Sequence, residues 1–363
     1  MTLQAGIVGL PNVGKSTLFN ALTAAGVEAA NYPFATIEPN VGVVAVPDPR
    51  LARIAAVIET KEIIPATVEI VDIAGLVRGA SEGEGLGNQF LGHIRSVDAV
   101  LEVVRCFEDA DVSHVEGSVD PLRDIATIET ELILADLQVA ERRLERLERG
   151  ARSGDMALIA ERDVVRRLVD QLGAGTAARD SAWTAAERRA LAELQMLTAR
   201  PVLYVCNVDE EGLKGNSHTK AVQAWAHGRD AAVVVICAQA EAEIAELDTE
   251  DRALFLAELG LSEPGLDSLA RATYDLLGLR TFFTAGPKEI RAWTVAAGAT
   301  APAAAGVIHS DFEHGFIRAE VYSVDDLLAH ATVAALKAAG KLRVEGKDYV
   351  VADGDVMHFR FNV

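Results

Sequence analysis

Cysteine is scarce: three residues in 363, Cys106, Cys206 and Cys237, set far apart in the chain. That number and spacing exclude a disulfide framework and a cysteine metal cluster. Cys106 and Cys206 lie in apolar runs and read as small buried hydrophobes in a reducing compartment, so a cytoplasmic location is expected. No uncharged apolar stretch approaches the roughly 18 residues of a membrane span, so no membrane association is expected. The opening MTLQAGIVGLPNVGKST lacks a charged leader followed by an apolar segment, and no signal peptide is expected. Positive charge is also short. Lys and Arg number 34 against 54 Asp and Glu, a formal net charge of −20. That surplus disfavours broad binding of a nucleic-acid backbone by the whole molecule, while leaving room for a local basic face.

What is present is enough for a sizeable core: 50% of the 363 residues are hydrophobic, and the length suits two or three domains. LQAGIVG at 3–9 reads as a buried strand, and STLFNALTAAG at 16–26 as a helix ending at Gly26. Strands at 41–46 and 66–75 follow, then a glycine-rich loop at 79–87, a helix near 88–96 and a strand at 99–107. Strands alternating with helices imply a mostly parallel sheet covered on both faces. Between about 128 and 198 the chain turns to Ala, Leu, Glu and Arg. Ile133, Leu137, Ala140, Leu144 and Leu147 make one apolar seam; Leu158, Val165, Leu168 and Leu172 make a second, interrupted by Glu161. GARSGD at 150–155 supplies a turn, giving an antiparallel helical hairpin that either packs on itself or faces a macromolecular partner. The sheet resumes at 201–207 and 231–238. A helical stretch runs to about 277, and the tail reads as a small α+β unit close to neutral charge.

GLPNVGKST at 9–17 fits G-x-x-x-x-G-K-[ST], placed after a strand and opening a helix as that motif requires. Gly9 and Gly14 let the backbone approach an anion, and the loop amides with the helix start can wrap a β-phosphate. Lys15 would reach the β- and γ-phosphates, Ser16 would ligate Mg²⁺, and Thr17 would face the α-phosphate. Thr36 in NYPFATIEPN could complete the Mg²⁺ coordination, or serve only as a turn threonine. Asp72 ends the strand in VEIVDIAG and can hold Mg²⁺ through water, unless it is a core aspartate paired elsewhere. Gly75 can offer its N–H to the γ-phosphate. Leu76 stands where many switch GTPases carry the glutamine that orients water, and an apolar side chain cannot do that work.

A second absence decides the base. RPVLYVCNVDE closes a strand with Asn207-Val208-Asp209-Glu210. Strands that select guanine end Asn-Lys-x-Asp, and the aspartate accepts both N1–H and the 2-amino group. Here Val208 replaces the lysine and Glu210 the aspartate. Glu210 is one methylene longer, so its oxygens miss or crowd the guanine edge. A buried polar mismatch costs about 1–3 kcal/mol, roughly 5- to 150-fold in affinity. Asp209 is out of register by one residue. Adenine offers an amine donor and ring-nitrogen acceptors that Asn207 and nearby backbone can meet. The expected ligand is ATP rather than GTP. Two rivals stand beside it: a GTP-specific switch with relaxed motif spelling, and an ATP-binding module with incidental hydrolysis.

DIAGLVRGASEGEGLGNQFLGHIRSVDAV resembles the Obg-related branch of P-loop NTPases. Together with NVDE, the helical insertion, and the tail containing FFTAGPKEIRAWTVAAGATAPAAAGVIHSDFEHGFIRAE and DGDVMHFRFNV, it resembles the YchF subfamily of Obg-like ATPases over essentially the whole chain. The resemblance implies an α/β P-loop domain at about 3–256 with the hairpin inserted at about 128–198, and a β-grasp TGS domain at about 278–361. It implies ATP held by Asn12, Val13, Gly14, Lys15, Ser16 and Thr17, with Asn207 to Glu210 on the base side and the Val208 backbone beside adenine. Mg²⁺ would sit on Ser16 and Thr36. It further implies that His114 replaces the missing glutamine and that Asn12 ligates an activating K⁺. A solvated loop histidine and a turn-forming asparagine are the plainer readings of those two residues. The implied partner is the ribosome, engaged through the hairpin and the tail; separately, a monomer is expected. Ribosomal RNA contact would fall to basic patches such as Arg142, Arg143, Arg146 and Arg149, or Lys337, Lys341 and Arg343, which read equally as solvated helix faces.

Overall fold

The computed structural model describes residues 3–24, 40–73, 86–112, 114–115 and 117–362. Its elements run β1 (Gln4–Val8), α1 (Lys15–Ala24), β2 (Val41–Val46), α2 (Pro49–Ala55), β3 (Ile63–Ile64), β4 (Ala66–Asp72), α3 (Leu86–Ser96), β5 (Ala99–Arg105), α4 (Pro121–Gly150), α5 (Met156–Gly173) and α6 (Ala185–Ala192). Then follow β6 (Val202–Asn207), α7 (Ser217–His227), β7 (Ala232–Ile236), α8 (Ala238–Glu246), α9 (Thr249–Leu259), α10 (Gly265–Leu276), β8 (Leu279–Ala285) and β9 (Ile290–Ala296). The tail closes with α11 (Ala301–Ile308), α12 (Ser310–His314), β10 (Phe316–Ser323), α13 (Val324–His330), α14 (Val333–Ala338), β11 (Arg343–Glu345) and β12 (Asp355–Phe361). The chain divides into two compact units, residues 1–42 with 69–269 and residues 43–68 with 270–363.

The first unit is built on strands in the order β4-β1-β5-β6-β7. Pairings β1–β4, β1–β5, β5–β6 and β6–β7 are all parallel. β5 and β6 are buried at every position, which is why AVLEVVR and VLYVCN show no polar alternation. Parallel strands put all their carboxyl ends on one edge, where open α/β sheets hold ligands. Gly9, Asp72, the loop after Arg105 and Asn207 all follow or end strands there.

The expected hairpin is α4 and α5. α4 starts at Pro121, seven residues before the change in composition, because Asp120 caps it and Pro121 takes the first turn. Ile133, Ala140, Leu168 and Leu172 form a core with Ala178 and Met196, and Leu137 packs against it. The polar interruption at Glu161 is met across the seam by Arg143.

In the second unit, β8–β9 and β10–β12 are antiparallel pairs joined by a parallel β8–β12 contact, with β11 beside β10. α11 packs over Phe282, Val295, Phe316, Ala319, Val321 and Met357. Two terminal strands lying parallel at the centre, with one helix crossing a face, is the β-grasp arrangement. Residues 43–68 join this unit. β3 pairs in parallel with β9 at the sheet edge, Ile63 opposite Ile290. Arg50 of α2 lies 5.1 Å over the Phe283 ring. Neighbouring residues in a strand face opposite sides, so α2 covers the side away from α11. Arg50 also bonds Asp48 and, at 2.6 Å, Asp353, while Asp353 accepts the Thr281 N–H at 2.9 Å.

Candidate functional site

β1 delivers the chain into a turn that only certain residues can make. Asn12 has φ 65° and Gly14 φ 93°. The left-handed conformation at Asn12 is one that asparagine tolerates, so the turn-forming reading of this residue holds whatever else it does. At Gly14 a Cβ would also collide with the Asn207 amide, so glycine is required there twice over. Val13 is buried and anchors the loop, while Ser16 and Thr17 are exposed in the first turn of α1. The Leu18 N–H donates to the Gly14 carbonyl at 3.0 Å and begins the helical ladder. The amides before it have no intrahelical partner, and α1 carries no acidic residue in its first turn. The loop thus offers N–H donors and the positive end of a helix dipole to an anion.

Asp72 stands opposite Ile7 in the β1–β4 register, beside the strand end that feeds the loop. Its carboxylate pairs with the Lys15 ammonium. Mg²⁺ takes hard oxygen ligands and binds through one or two protein groups plus substrate phosphates. An exposed Ser16 hydroxyl and the Asp72 carboxylate suit that demand. Among the described residues no group of three or more His, Cys, Asp and Glu forms a separate metal cage. Thr36, Gly75 and Leu76 lie outside the described residues.

The base-side strand is tied to the phosphate loop. Asn207 is buried; its Nδ2 donates to the Val13 carbonyl at 2.8 Å and its Oδ1 accepts the Ala238 N–H at 3.0 Å. Each end of the side-chain amide is therefore engaged with protein, and one role of Asn207 is to brace the loop against the start of α8. The Val208 N–H donates to the Ile236 carbonyl at 2.9 Å, and its side chain is buried under the turn at Gly212. Asp209 accepts the Gly212 N–H at 2.8 Å, a local cap. Glu210 is exposed at the head of the short turn 211–214.

His114 is not the solvated loop residue of the plainer reading. Its side chain is 5% exposed, and Nε2 lies 2.8 Å from Asp124 Oδ2 in the first turn of α4. The loop before it is pinned by Arg105, a fully buried guanidinium that donates to the carbonyls of Phe107 at 3.1 Å, Val112 at 2.9 Å and Asp109 at 3.2 Å. Asp124 and Arg105 were missed in the sequence. The signal for the first was Asp120-Pro121, which starts α4 and places Asp124 one turn in. Nothing marks Arg105, since a strand arginine gives no hint of the carbonyls it will meet.

Behind the site, Glu102 on β5 is buried, and burial pushes its carboxyl up to about 8 against the opposing pull of Arg179. Arg179 pairs with Glu129 of α4. Of the basic patches, Arg143, Arg149, Lys341 and Arg343 each face a carboxylate, Glu161, Glu145, Asp326 and Asp355 respectively. No helix among the described residues is long and apolar enough to cross a membrane.

A phosphate loop at the carboxyl edge of a parallel sheet, a hairpin inserted after β5 and a β-grasp tail together define a P-loop NTPase of the Obg-like type. Residues 4–138 match the family of 50S ribosome-binding GTPases, and residues 279–362 match YchF-GTPase_C, described as a protein of unknown function. The ribosome-binding ATPase YchF of Bacillus subtilis is 52% identical over 366 residues, covering all of both chains. The protein of the same name from Haemophilus influenzae is 54% identical over 363 residues, again covering all of both. The solved structure of the Schizosaccharomyces pombe YchF GTPase matches with a TM-score of 0.90 at 37% identity, over 99% of this chain and 98% of that one. The chain belongs to the YchF family.

Proposed function

We propose that the protein is an ATPase whose nucleotide state governs its association with the ribosome. The observation that carries the base assignment is Val208 and Glu210 at the positions where guanine selection requires lysine and aspartate. Val208 turns its side chain into the protein and leaves no stem to cover a base, and Glu210 is one methylene longer than the aspartate that takes both guanine donors, so its oxygens miss that edge. The names of the relatives from B. subtilis and H. influenzae support ATP and the ribosome. The S. pombe protein is called a GTPase, which favours the rival reading.

The reaction is attack of water on the γ-phosphate. The loop amides from Asn12 to Gly14 hold the β-phosphate, Lys15 leaves Asp72 to reach the β- and γ-oxygens, and Thr17 faces the α-phosphate. Ser16 and Thr36 would hold Mg²⁺, with Asp72 acting through water, and the ion would supply positive charge against the negative charge that builds on the transferring group. Asn12 would hold K⁺ by its amide oxygen and so add positive charge in the same place. With Leu76 unable to polarise water, His114 orients the nucleophile, since imidazole can accept or donate near neutral pH. The protein acts in the cytoplasm as a monomer on the large subunit or the 70S particle, and the arginines of α4 with Lys337, Lys341 and Arg343 form its contacts to ribosomal RNA.

Competition between ATP and GTP on wild type and Glu210→Asp tests the base assignment. Glu210 is exposed, so the change leaves the fold intact, whereas Val208→Lys would bury a charge. Wild type should prefer ATP, and Glu210→Asp should raise relative GTP affinity by about tenfold, within the range of one restored polar contact. A wild-type preference for GTP, or an unmoved ratio in the variant, overturns the assignment.

A further inference from the structure

We infer that Asp124 is a positioning residue that latches His114 against the first turn of α4, so that the hairpin helix holds the water-orienting group in reserve. This rests on the reading of His114 given above.

Arg105 fixes the stem of the loop through three carbonyls, and the Gly117 N–H closes a turn onto the His114 carbonyl at 3.1 Å. Between these points the imidazole is drawn inward. His114 is 5% and Asp124 3% exposed at the side chain, with Nε2 and Oδ2 2.8 Å apart. A ring so shielded reaches a water on the γ-phosphate only by leaving that pocket, and leaving it breaks the bond to Asp124.

Asp124 is an expensive residue to keep for stability alone. Among the described residues its Oδ1 has no hydrogen-bond partner, and the Arg123 guanidinium stands 3.5 Å from that atom as an ion-pair neighbour. Glu102 is buried close enough to feel its charge unfavourably. A buried carboxylate with one oxygen unmet is costly unless the other performs a task. The contact made by the other oxygen is His114. Asp124 also sits on a lever: α4 runs 30 residues from this first turn to the hairpin tip. A partner that shifts the hairpin displaces the carboxylate and frees the ring.

The test is ATP turnover on full-length wild type, Asp124→Asn, Asp124→Ala, His114→Ala and the double variant His114→Ala/Asp124→Ala, with ATP affinity and melting measured on each. Removing a hydrogen bond to a charged group should raise basal kcat about five- to thirtyfold, with ATP affinity unchanged. The gain should vanish in the His114→Ala background. Asparagine keeps an acceptor for the ring N–H, so its gain should be smaller than that of alanine. Should Asp124→Ala fail to fold, Asp124→Asn decides alone. If His114→Ala turns over like wild type, the water-orienting reading falls and this inference with it. If His114→Ala is slow but the Asp124 variants show no gain, or gain equally without His114, the latch is overturned and the reading of His114 stands.

Discussion

Replacing Asn207 with alanine separates two roles that a base-side asparagine can hold. Its Nδ2 donates to the Val13 carbonyl at 2.8 Å and its Oδ1 accepts from the Ala238 N–H at 3.0 Å. Both partners lie inside the protein, and Asn207 itself is 4% exposed. Alanine orphans both, at about 1–3 kcal/mol for each buried group left unmet, so about 2–6 kcal/mol of stability should be lost. Part of that strain falls on the phosphate loop, because the Val13 carbonyl is one peptide from Gly14. The loop then no longer starts in the conformation that points its amides at an anion. Urea unfolding gives the stability term. Titration with ATP, GTP and inorganic tripolyphosphate gives the site term. A brace acts on the phosphate cradle, so all three ligands should weaken by similar factors. A base reader acts only on the nucleosides, so tripolyphosphate should bind as before. A stability change below about 0.5 kcal/mol, the range of an ordinary surface substitution, together with unaltered tripolyphosphate binding would refute the bracing role.

Gly14→Ala should abolish ATP binding measured by fluorescence titration while leaving the far-ultraviolet circular dichroism unchanged, because φ 93° is strained for alanine and its Cβ meets the Asn207 amide. Glu102→Gln should flatten the pH dependence of thermal stability. The folded carboxyl titrates near 8 against an ordinary 4.5, so between those values the native state holds a proton that the unfolded chain releases. Stability from this group is present below 4.5 and is lost as pH rises through 8. Glutamine should therefore gain in Tm over wild type at pH 8.5 more than at pH 5, and an equal difference at both would refute the assignment.

The parts of the molecule that were legible in the sequence are those fixed by local chemistry. The phosphate loop is a contiguous run whose glycines, lysine and hydroxyl must sit at set spacings, and β5 and β6 announce their two-sided burial by unbroken apolar composition. The hairpin showed through its seams, and its start was misplaced only because an Asp-Pro cap outweighs a change in composition. Residues 47–65, between the two strands that were read, were illegible for the opposite reason. β3 is two residues long and has no signal of its own; it exists because Ile290 and Arg291 of β9 offer a sheet edge. Leu51 and Ile54 are buried on a seven-residue helix, and nothing in their spacing says that the second unit covers them.

The same division runs through the candidate site. Lys15, Ser16 and Asp72 could be proposed from sequence because a phosphate loop needs a cation, a hydroxyl and an acid at strand or helix ends, and the structure brings Lys15 and Asp72 together. His114 could be named only by resemblance, and its partner Asp124 not at all, since a buried carboxylate ten residues away is indistinguishable in sequence from the first-turn acids that helices favour for their dipole. Asp124 occupies such a helix-favoured place, yet its carboxylate turns inward to an imidazole. A helix start explains an acid in the first turn; it does not explain burying one to 3% exposure. The burial is therefore the informative feature: a contact with the helix dipole needs no shielded carboxylate, and this one turns an oxygen to the His114 ring.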